Sequence, residues 1–292
     1  MSRRFLLLVN PSAGGGRALK RLAAAEAELD RLGAGHRTVL TRDIQHAEEE
    51  AATAAGKGET VAALGGDGLL RPLAGVLRDA DVALAIIPGG RGNDYARTLG
   101  IPFDPTAAAR IAVDGEERMM DVAYVGDTPY LGIASFGFDS DANRIANEAR
   151  LVRGNLVYVY AALRALAQWR PARFSVTVDG AQHDLRGYSV GVCNSKAYGG
   201  GMFVAPHAEL DDGLLDVVAK DHVPKGQFLR GLPKYFKGSH MSDPSIHTWR
   251  GADIEVDADR TFVIYADGDP IGSTPASVSV RPRCLRVIVP RA

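Results

Sequence analysis

The 292-residue sequence has few cysteines, little net charge and no long apolar segment. Its two cysteines, Cys193 and Cys284, are far apart and lack the spacing of metal ligands, which favours a reduced, cytoplasmic setting. The formal net charge of -1 argues against a general nucleic-acid-binding protein, although it leaves a local basic patch open. We therefore predict no nucleic-acid partner.

No apolar run approaches the ~18 residues that a transmembrane helix requires. The stretch from Phe5 to Val9 follows two arginines, as in a signal peptide. It is too short for one, however, and it ends at Asn10-Pro11 rather than at a small-residue cleavage site. Any contact with a membrane is therefore expected to be peripheral, at the inner membrane face.

The sequence does contain material for a sizeable core, since 46% of its residues are hydrophobic. Up to Val113, apolar runs alternate with segments of helical spacing, which is typical of a parallel sheet with right-handed helical crossovers. The predicted strands are Phe5 to Val9, His36 to Leu40, Val61 to Leu64 and Val82 to Ile87. The predicted helices are Ala18 to Leu32, Gln45 to Ala55 and Leu69 to Leu77.

After Val113 the pattern changes to short alternating segments that are separated by turn residues. Asp179-Gly180, after one such segment, is typical of a hairpin turn. A single helix, Leu156 to Gln168, is predicted in this half of the chain. We interpret the pattern as two domains, an α/β domain followed by a β-rich one.

Three glycine-rich turns follow the first, third and fourth predicted strands; they are Asn10 to Gly16, Gly65 to Gly68 and Pro88 to Asp94. Glycines let the backbone approach a ligand closely, and the free N–H groups at a helix start favour an anion. The turns match neither a Walker A loop nor a dinucleotide fingerprint, since no Gly-Lys-Ser/Thr follows and Thr41 replaces the expected acid. They predict a site for a nucleotide phosphate and Mg²⁺.

Asp67 is the acid of the second turn, with glycines on both sides. A carboxylate there is suited to a metal ion or a nucleotide hydroxyl, while the backbone contacts phosphate. The alternative is that Asp67 only caps the following helix. The same alternatives apply to Asn93 and Asp94, whose place beside another glycine turn favours ligand contact.

Three further clusters lie in the β-rich half. Tyr198 to Phe203 predicts a loop with close backbone packing, and Glu209 to Leu214 predicts a turn, with cation binding as the less favoured alternative. Ala266 to Asp269 fits either a simple hairpin turn or a pair of catalytic carboxylates. The catalytic interpretation requires that folding bring these carboxylates to the nucleotide site.

Taken in order, these clusters resemble the diacylglycerol kinase catalytic-domain family of bacterial lipid kinases, which is related to the sphingosine kinases. The resemblance covers nearly the whole chain and implies an α/β + β fold. It implies an α/β parallel-sheet nucleotide domain over residues 1–118, a C-terminal β-sandwich domain over 119–274, and a tail, 275–292, that returns to the first domain. It also implies an ATP- and Mg²⁺-dependent kinase that phosphorylates a hydroxyl of a diacylglycerol-like lipid, with ATP in the cleft between the domains.

The resemblance also implies site residues. Those expected to contact ATP, with Asp67 near Mg²⁺, are Asn10, Ser12, Ala13, Gly14, Thr41, Gly65, Gly66, Asp67, Gly68, Leu69, Leu70, Arg71, Arg91, Asn93 and Asp94. A structural Mg²⁺ is implied at Asp212, with the backbone carbonyls of Glu209 and Leu214. Asp267 and Asp269 match the family's Asp-Gly-Glu, whose carboxylates include the base that deprotonates the lipid hydroxyl.

Four positions depart from the family pattern. Leu69 and Arg71 stand where the family has Thr and Asn, Arg91 replaces another Thr, and Asp269 replaces a Glu. Arginine forms strong charge-assisted hydrogen bonds with phosphate, so our hypothesis is that the two arginines clamp phosphate in place of the lost polar groups. The alternative is a site that has drifted and acts weakly, or that uses another nucleotide or acceptor.

The segment Lys225 to Lys237 mixes basic residues with aromatic residues and leucines, a composition that suits docking on an anionic bilayer. Its Gly and Pro residues argue against one long helix, and a solvated loop is an equal alternative. A second positive region surrounds the predicted helix and comprises Arg144, Arg150, Arg153, Arg164, Arg170 and Arg173.

Two rival functions stay open. An NAD kinase shares Gly-Gly-Asp-Gly, but Pro88 to Arg97 and Asp267 to Asp269 fit lipid kinases better. A non-catalytic nucleotide- or lipid-sensing protein fits the substituted positions, whereas the retained Asp67 and Asp267 argue against it. The sequence leaves the acceptor lipid and the oligomeric state open, including a homodimer.

Overall fold

The computed structural model describes residues 3–149 and 156–291, and the chain divides into two compact units. Unit 1 comprises Met1–Val122, Leu210–Asp212 and Arg281–Ala292. Unit 2 comprises Ala123–Glu209 and Gly213–Val280. The predicted fold class is confirmed, because the first unit is built on a parallel sheet with helices and the second is an antiparallel, sandwich-like unit.

Unit 1 alternates strands and helices, as its apolar runs predict. Its elements are β1 Phe5–Val9, α1 Arg17–Arg31, β2 His36–Leu40, α2 Ile44–Gly56, β3 Thr60–Gly65, α3 Asp67–Leu77, β4 Leu84–Pro88, α4 Asp94–Thr98, α5 Pro105–Asp114 and the first part of β5 Glu116–Val125. Helices α4 and α5 were not predicted from the sequence. The start of α5 has a recognisable signal, because Pro105 follows Asp104, whose carboxylate accepts the N–H of Ala107 at 2.8 Å.

The parallel sheet of unit 1 brings the ends of its strands to one edge. β1 pairs with β2 and β3, and β3 pairs with β4, all in parallel. Every residue of β1, β3 and β4 is buried, as continuous apolar runs predict for strands covered on both faces. Because Val9 lies opposite Leu64 and Gly65 lies opposite Pro88, the three glycine turns begin at neighbouring positions on this edge.

Unit 2 is mainly antiparallel. Its elements are the end of β5, then β6 Thr128–Tyr130, β7 Ile133–Gly137, α6 Phe138–Glu148, α7 Leu156–Gln168, β8 Ala172–Val178, β9 Ala181–Cys193, β10 Ala197–Tyr198, β11 Met202–Phe203, β12 Leu215–Asp221, α8 Lys225–Tyr235, β13 Ile246–Gly251, β14 Asp253–Ala258, β15 Val263–Ala266, β16 Asp269–Ser273 and the start of β17 Ala276–Val289. The hairpin predicted at Asp179-Gly180 is confirmed, and both turn residues have the positive φ of a type I′ turn, 45° and 85°. From Arg281 onward β17 belongs to unit 1, where Val287 pairs in parallel with Leu84.

The prediction of a single helix in the second half of the chain is wrong, because α6 and α8 also form. Helix α8 forms although it contains Gly226, Gly231 and Pro233. Gly226 lies in the first turn and Pro233 in the last, so the helix loses few internal hydrogen bonds. Burial of Phe228, whose ring lies 4.2 Å from that of Tyr188, stabilises the helix through tertiary packing.

An aromatic cluster forms much of the unit 2 core. Phe138 at the start of α6 makes edge contacts with Trp169, Tyr188 and Phe228, with ring centroids 4.9 to 5.9 Å apart. Such contacts tie α6, α8 and the sheet together through side chains rather than through backbone pairing. In the part of the chain that the structure describes, no helix is long and apolar enough to cross a membrane.

Candidate functional site

The three glycine turns of unit 1 lie in direct backbone contact. A Cβ atom added to Gly14 would lie 2.6 Å from the carbonyl oxygen of Gly89, which joins the first turn to the third. A Cβ atom added to Gly90 would lie 2.4 Å from the Cα atom of Gly66, which joins the third turn to the second. Because the backbones of the turns lie so close together, no side chain fits between them, and glycine is required at positions 14 and 90.

The buried amide of Asn93 and the guanidinium group of Arg17 hold the third turn in shape. The buried side chain of Asn93 accepts the N–H of Gly90 at 2.8 Å and donates to the carbonyl oxygen of Gly90 at 3.1 Å. Arg17, in the first turn of α1, donates to the same carbonyl at 3.1 Å. In the first turn, Asn10 accepts the N–H and the hydroxyl of Ser12 at 3.1 and 2.8 Å. Side chains of these two turns and of α1 therefore fix the shapes of the first and third turns.

The carboxylate of Asp67 joins the second turn to the third. Its two oxygens accept the N–H groups of Asp94 and Tyr95, each at 3.1 Å, at the start of α4. Asp67 thus does cap a helix, but α4 rather than the helix that follows it in sequence. Burial raises the pKa of Asp67, and the backbone hydrogen bonds from Tyr95 and Asp94 lower it in part. A bound divalent cation would favour the ionised form, so the carboxylate fits its predicted place near Mg²⁺, which stays a prediction.

Other predicted nucleotide contacts lie around the same edge. Thr41 is buried at the end of β2, where its N–H donates to the carbonyl of Val9 at 2.8 Å. The side chains of Leu69 and Leu70 are buried in the core of unit 1, which leaves their backbone for any ligand contact. Arg71 is half-buried and Arg91 is exposed. Their contact with phosphate stays a prediction.

In unit 2, Asp267 occupies the two-residue turn between β15 and β16. Its φ of 53° and that of 92° at Gly268 form a type I′ hairpin turn. The two carboxylate oxygens accept the N–H groups of Leu131 and Gly132, each at 2.8 Å. A Cβ atom added to Gly132 would lie 2.4 Å from one of these oxygens. The Asp267-Gly268 segment is therefore a hairpin turn, and it also holds the carboxylate of Asp267 in a fixed orientation.

The turn from Glu209 to Leu214, where a structural Mg²⁺ is predicted, contains an ion pair and a glycine with positive φ. Asp211 forms an ion pair with Arg118 at 2.6 Å, and Gly213 has a φ of 74°. Within residues 3–149 and 156–291, no three or more His, Cys, Asp or Glu side chains are grouped so that they could hold a metal ion. A metal at Asp212 would therefore depend on the backbone carbonyls of Glu209 and Leu214, as the resemblance implies, and this site stays a prediction.

Asp139, an acid in the first turn of α6, was not predicted from the sequence as a site residue. Burial raises its pKa to about 6, against the lowering effect of side-chain hydrogen bonds from Ser189 and Tyr198. A signal was present, because Asp139 follows the buried strand β7 just as Asp67 follows β3. Gly132 was missed as well, and no feature of the sequence marked it as the support of Asp267.

Asp139→Asn is expected to change how stability depends on pH. A carboxyl with a raised pKa favours folding when protonated, so the native protein loses stability as the pH rises from about 4 to about 6. The loss is on the order of 2–3 kcal/mol, and Asn removes it. Urea unfolding between pH 4.5 and 7 should show the variant gaining on the parent as the pH rises. Asp127→Asn, in an exposed turn, controls for the lost charge; a pH-independent difference for Asp139→Asn would contradict the assignment.

Comparisons with known proteins cover both units. Residues 4–125 match the family described as diacylglycerol kinase catalytic domain, and residues 132–289 match the YegS C-terminal NAD kinase beta sandwich-like domain. The chain is 36% identical to a diacylglycerol kinase of Mycobacterium tuberculosis, over 97% of this chain and 94% of that protein. It is 31% identical to a Pseudomonas aeruginosa protein named "Probable lipid kinase YegS-like", over 98% and 94% of the two chains. A crystal structure of a diacylglycerol kinase from Bacillus anthracis has the same fold, with a TM-score of 0.79 at 23% identity over 99% of this chain and 97% of that one.

Proposed function

The chain belongs to the diacylglycerol kinase catalytic-domain family and is a lipid kinase, and we propose that it transfers the γ-phosphate of ATP, with Mg²⁺, to a hydroxyl of a diacylglycerol-like lipid. The observation that carries the proposal is the direct contact of three glycine turns at one edge of a parallel sheet. Backbone N–H groups in such turns suit phosphate oxygens, which a side chain would keep away. The relatives named diacylglycerol kinase support the acceptor class.

In this proposal, unit 1 binds the nucleotide. The first and second turns contact phosphate through their backbone, and Thr41 lies beside the first turn through its bond to Val9. Asp67 and Asp94 provide the carboxylates for Mg²⁺, which neutralises charge on the transferred phosphoryl group when bound. The buried Asn93 holds the third turn in shape through two hydrogen bonds to Gly90, the residue that contacts the second turn.

Unit 2 provides the carboxylates for the acceptor. Kinases of other families use a carboxylate to orient the attacking hydroxyl and to accept its proton. We assign this role to Asp267, with Asp269, the first residue of β16, as the second carboxylate. Because Leu131 and Gly132 donate to separate oxygens of Asp267, the carboxylate is held in one orientation for the attacking hydroxyl.

The function is tested by transfer of labelled γ-phosphate from ATP into a purified diacylglycerol, with other hydroxyl lipids and NAD as separate acceptors. We expect a labelled phospholipid product that requires a divalent cation, with Mg²⁺ effective. Labelling of NAD in place of lipid would overturn the proposed acceptor. Absence of transfer to every lipid, with ATP binding intact, would favour the sensing alternative.

Arg71→Ala and Arg91→Ala are each expected to raise the KM for ATP about 10-fold or more, because a hydrogen bond to a charged group contributes about 1.5–3 kcal/mol. Arg71→Asn and Arg91→Thr restore the family residues and should recover part of the loss. Arg78→Ala, at the far end of α3, is the matched control. Unchanged KM values in both alanine variants would show that neither guanidinium clamps phosphate.

A further inference from the structure

Helix α8 contains none of the residues that are assigned above to the nucleotide or to the acceptor hydroxyl. One side of the helix is anchored, since Phe228 is only 6% exposed and its ring lies 4.2 Å from that of Tyr188 and 4.9 Å from that of Phe138. Tyr235, two turns later on the same side, is half-buried and stacks on His240 at 3.9 Å. The orientation of the helix on unit 2 is therefore fixed, and its other side faces solvent.

An apolar stripe runs along the solvent-facing side. Leu229 is 38% exposed, Phe236 is 55% exposed, and Pro233 between them is exposed as well. Their spacing of four and three residues places all three on one line of the helix surface. A phenylalanine that is more than half exposed at the end of such a stripe indicates a surface that meets an apolar phase or a partner.

Positive charge borders this stripe without acidic neighbours in the sequence. Arg230, Lys234 and Lys237 are all exposed, and no Asp or Glu occurs between Asp221 and Asp243. Asp243 itself pairs with the buried Lys220 at 3.6 Å. Residues 222–242 therefore contain no acid that offsets these cations, and Asp243, just outside that segment, also interacts electrostatically with Lys234.

The second positive region, the arginines around the helix Leu156–Gln168, is weaker evidence for a membrane-docking surface. Arg144 pairs with Glu148 at 3.3 Å, which offsets its charge. Arg150 and Arg153 lie outside the described residues. The basic and apolar groups of α8 thus provide the better-supported surface.

We propose that the α8 surface, formed by Leu229, Arg230, Pro233, Lys234, Phe236 and Lys237, docks on an anionic lipid bilayer. Leu229 and Phe236 enter the headgroup boundary while the three cations contact anionic headgroups. A second copy of the chain would bring the same positive charges against one another, which disfavours self-association through this surface. The inference rests on the proposed lipid substrate and identifies the surface through which the enzyme meets its lipid phase.

Co-sedimentation of the full chain with vesicles tests the proposal. One set of vesicles is phosphatidylcholine, and the other contains phosphatidylglycerol in addition. Binding is expected only to the second set and should weaken with salt. Replacing all three cations with Gln should weaken binding about 100-fold, because each basic residue near such a surface contributes about 1 kcal/mol.

The contribution of the apolar stripe to vesicle binding can be tested with a matched control. The double variant Leu229→Ser/Phe236→Ser should lose binding about 10-fold or more. Leu19→Ser/Leu40→Ser, which changes leucines of unit 1 that are 44% and 47% exposed, should bind as the parent does. Unchanged vesicle binding in both α8 variants, or equal binding to both vesicle types, would overturn the proposal. A change of oligomeric state in the α8 variants, without a change in vesicle binding, would identify a self-association surface instead.

Measurements of turnover on two forms of substrate distinguish the docking proposal from the proposed kinase function. With a dispersed short-chain diacylglycerol, the α8 variants should match the parent, whereas with vesicle-embedded diacylglycerol they should be slower in proportion to lost binding. If the parent binds anionic vesicles through α8 but phosphorylates no lipid, the kinase proposal fails and the docking surface stands. If the parent phosphorylates dispersed substrate without binding vesicles, docking fails and the kinase proposal stands.

Discussion

Asp267→Asn is expected to lower turnover by about 10²–10⁴-fold while the affinity for ATP changes little. The amide cannot accept the proton of the attacking hydroxyl, although it is nearly the same size as the carboxylate. Asn also tolerates the left-handed conformation that Asp267 adopts, with a φ of 53°. Asp267→Ala should show the same loss of turnover, but it adds backbone strain and loses both hydrogen bonds from Leu131 and Gly132, whereas Asn keeps one acceptor oxygen; Asn is therefore the cleaner variant.

Two measurements separate chemistry from folding in this experiment. ATP titration should give parent-like affinity, and single-turnover transfer to diacylglycerol should give the reduced rate. Gly132→Ala provides a second variant, since its Cβ atom would lie 2.4 Å from the Asp267 carboxylate and displace it without removing it. We expect a smaller loss of turnover in the same direction. Equal loss of nucleotide binding in Asp267→Asn would count against an acceptor-side role.

Gly90→Ala is expected to abolish ATP binding at concentrations that saturate the parent. The added Cβ atom would lie 2.4 Å from the Cα atom of Gly66 and 2.8 Å from the Oδ1 atom of Asn93. Because backbone lies on one side and a buried amide on the other, the turns must separate to make room. Overpacking of this kind costs about 1–3 kcal/mol in the free energy of unfolding.

Urea unfolding and calorimetric titration with ATP measure the two effects of Gly90→Ala separately. Gly35→Ala is the matched control, because nothing lies within 4 Å of its added Cβ atom and its φ is not positive. That control should keep both stability and ATP affinity. Parent-like ATP affinity in Gly90→Ala would show that contact between the second and third turns is not needed for nucleotide binding.

The sequence predicted the elements whose signals are local. The buried strands Phe5–Val9 and Thr60–Gly65 are continuous apolar runs, so their positions follow from composition alone. The hairpin at Asp179-Gly180 follows from a dipeptide that accepts positive φ at both positions. The glycine turns at the strand ends are local signals as well, and the nucleotide site that they indicate stays a prediction.

Features that depend on tertiary packing could not be predicted in this way. Helix α8 forms against the local preference of its glycines and proline, because Phe228 fills a pocket made by distant aromatic rings. The partners of Asp67 lie on α4, 27 and 28 residues further along the chain. The groups that hold Asp267, 135 and 136 residues earlier, carry no side-chain signal because both are backbone N–H groups. Pairings of this kind become visible only when the fold is known.

The strand order of unit 1 has a consequence for synthesis on the ribosome. β4 pairs on one side with β3 and on the other with the last strand, through Leu84 and Val287. About two hundred residues therefore emerge before the second neighbour of β4 exists, and until then that strand has an unpaired edge able to pair with another nascent chain. Because β17 from Arg281 onward belongs to unit 1, a ribosome that stalls before this segment leaves β4 at an open border of the sheet.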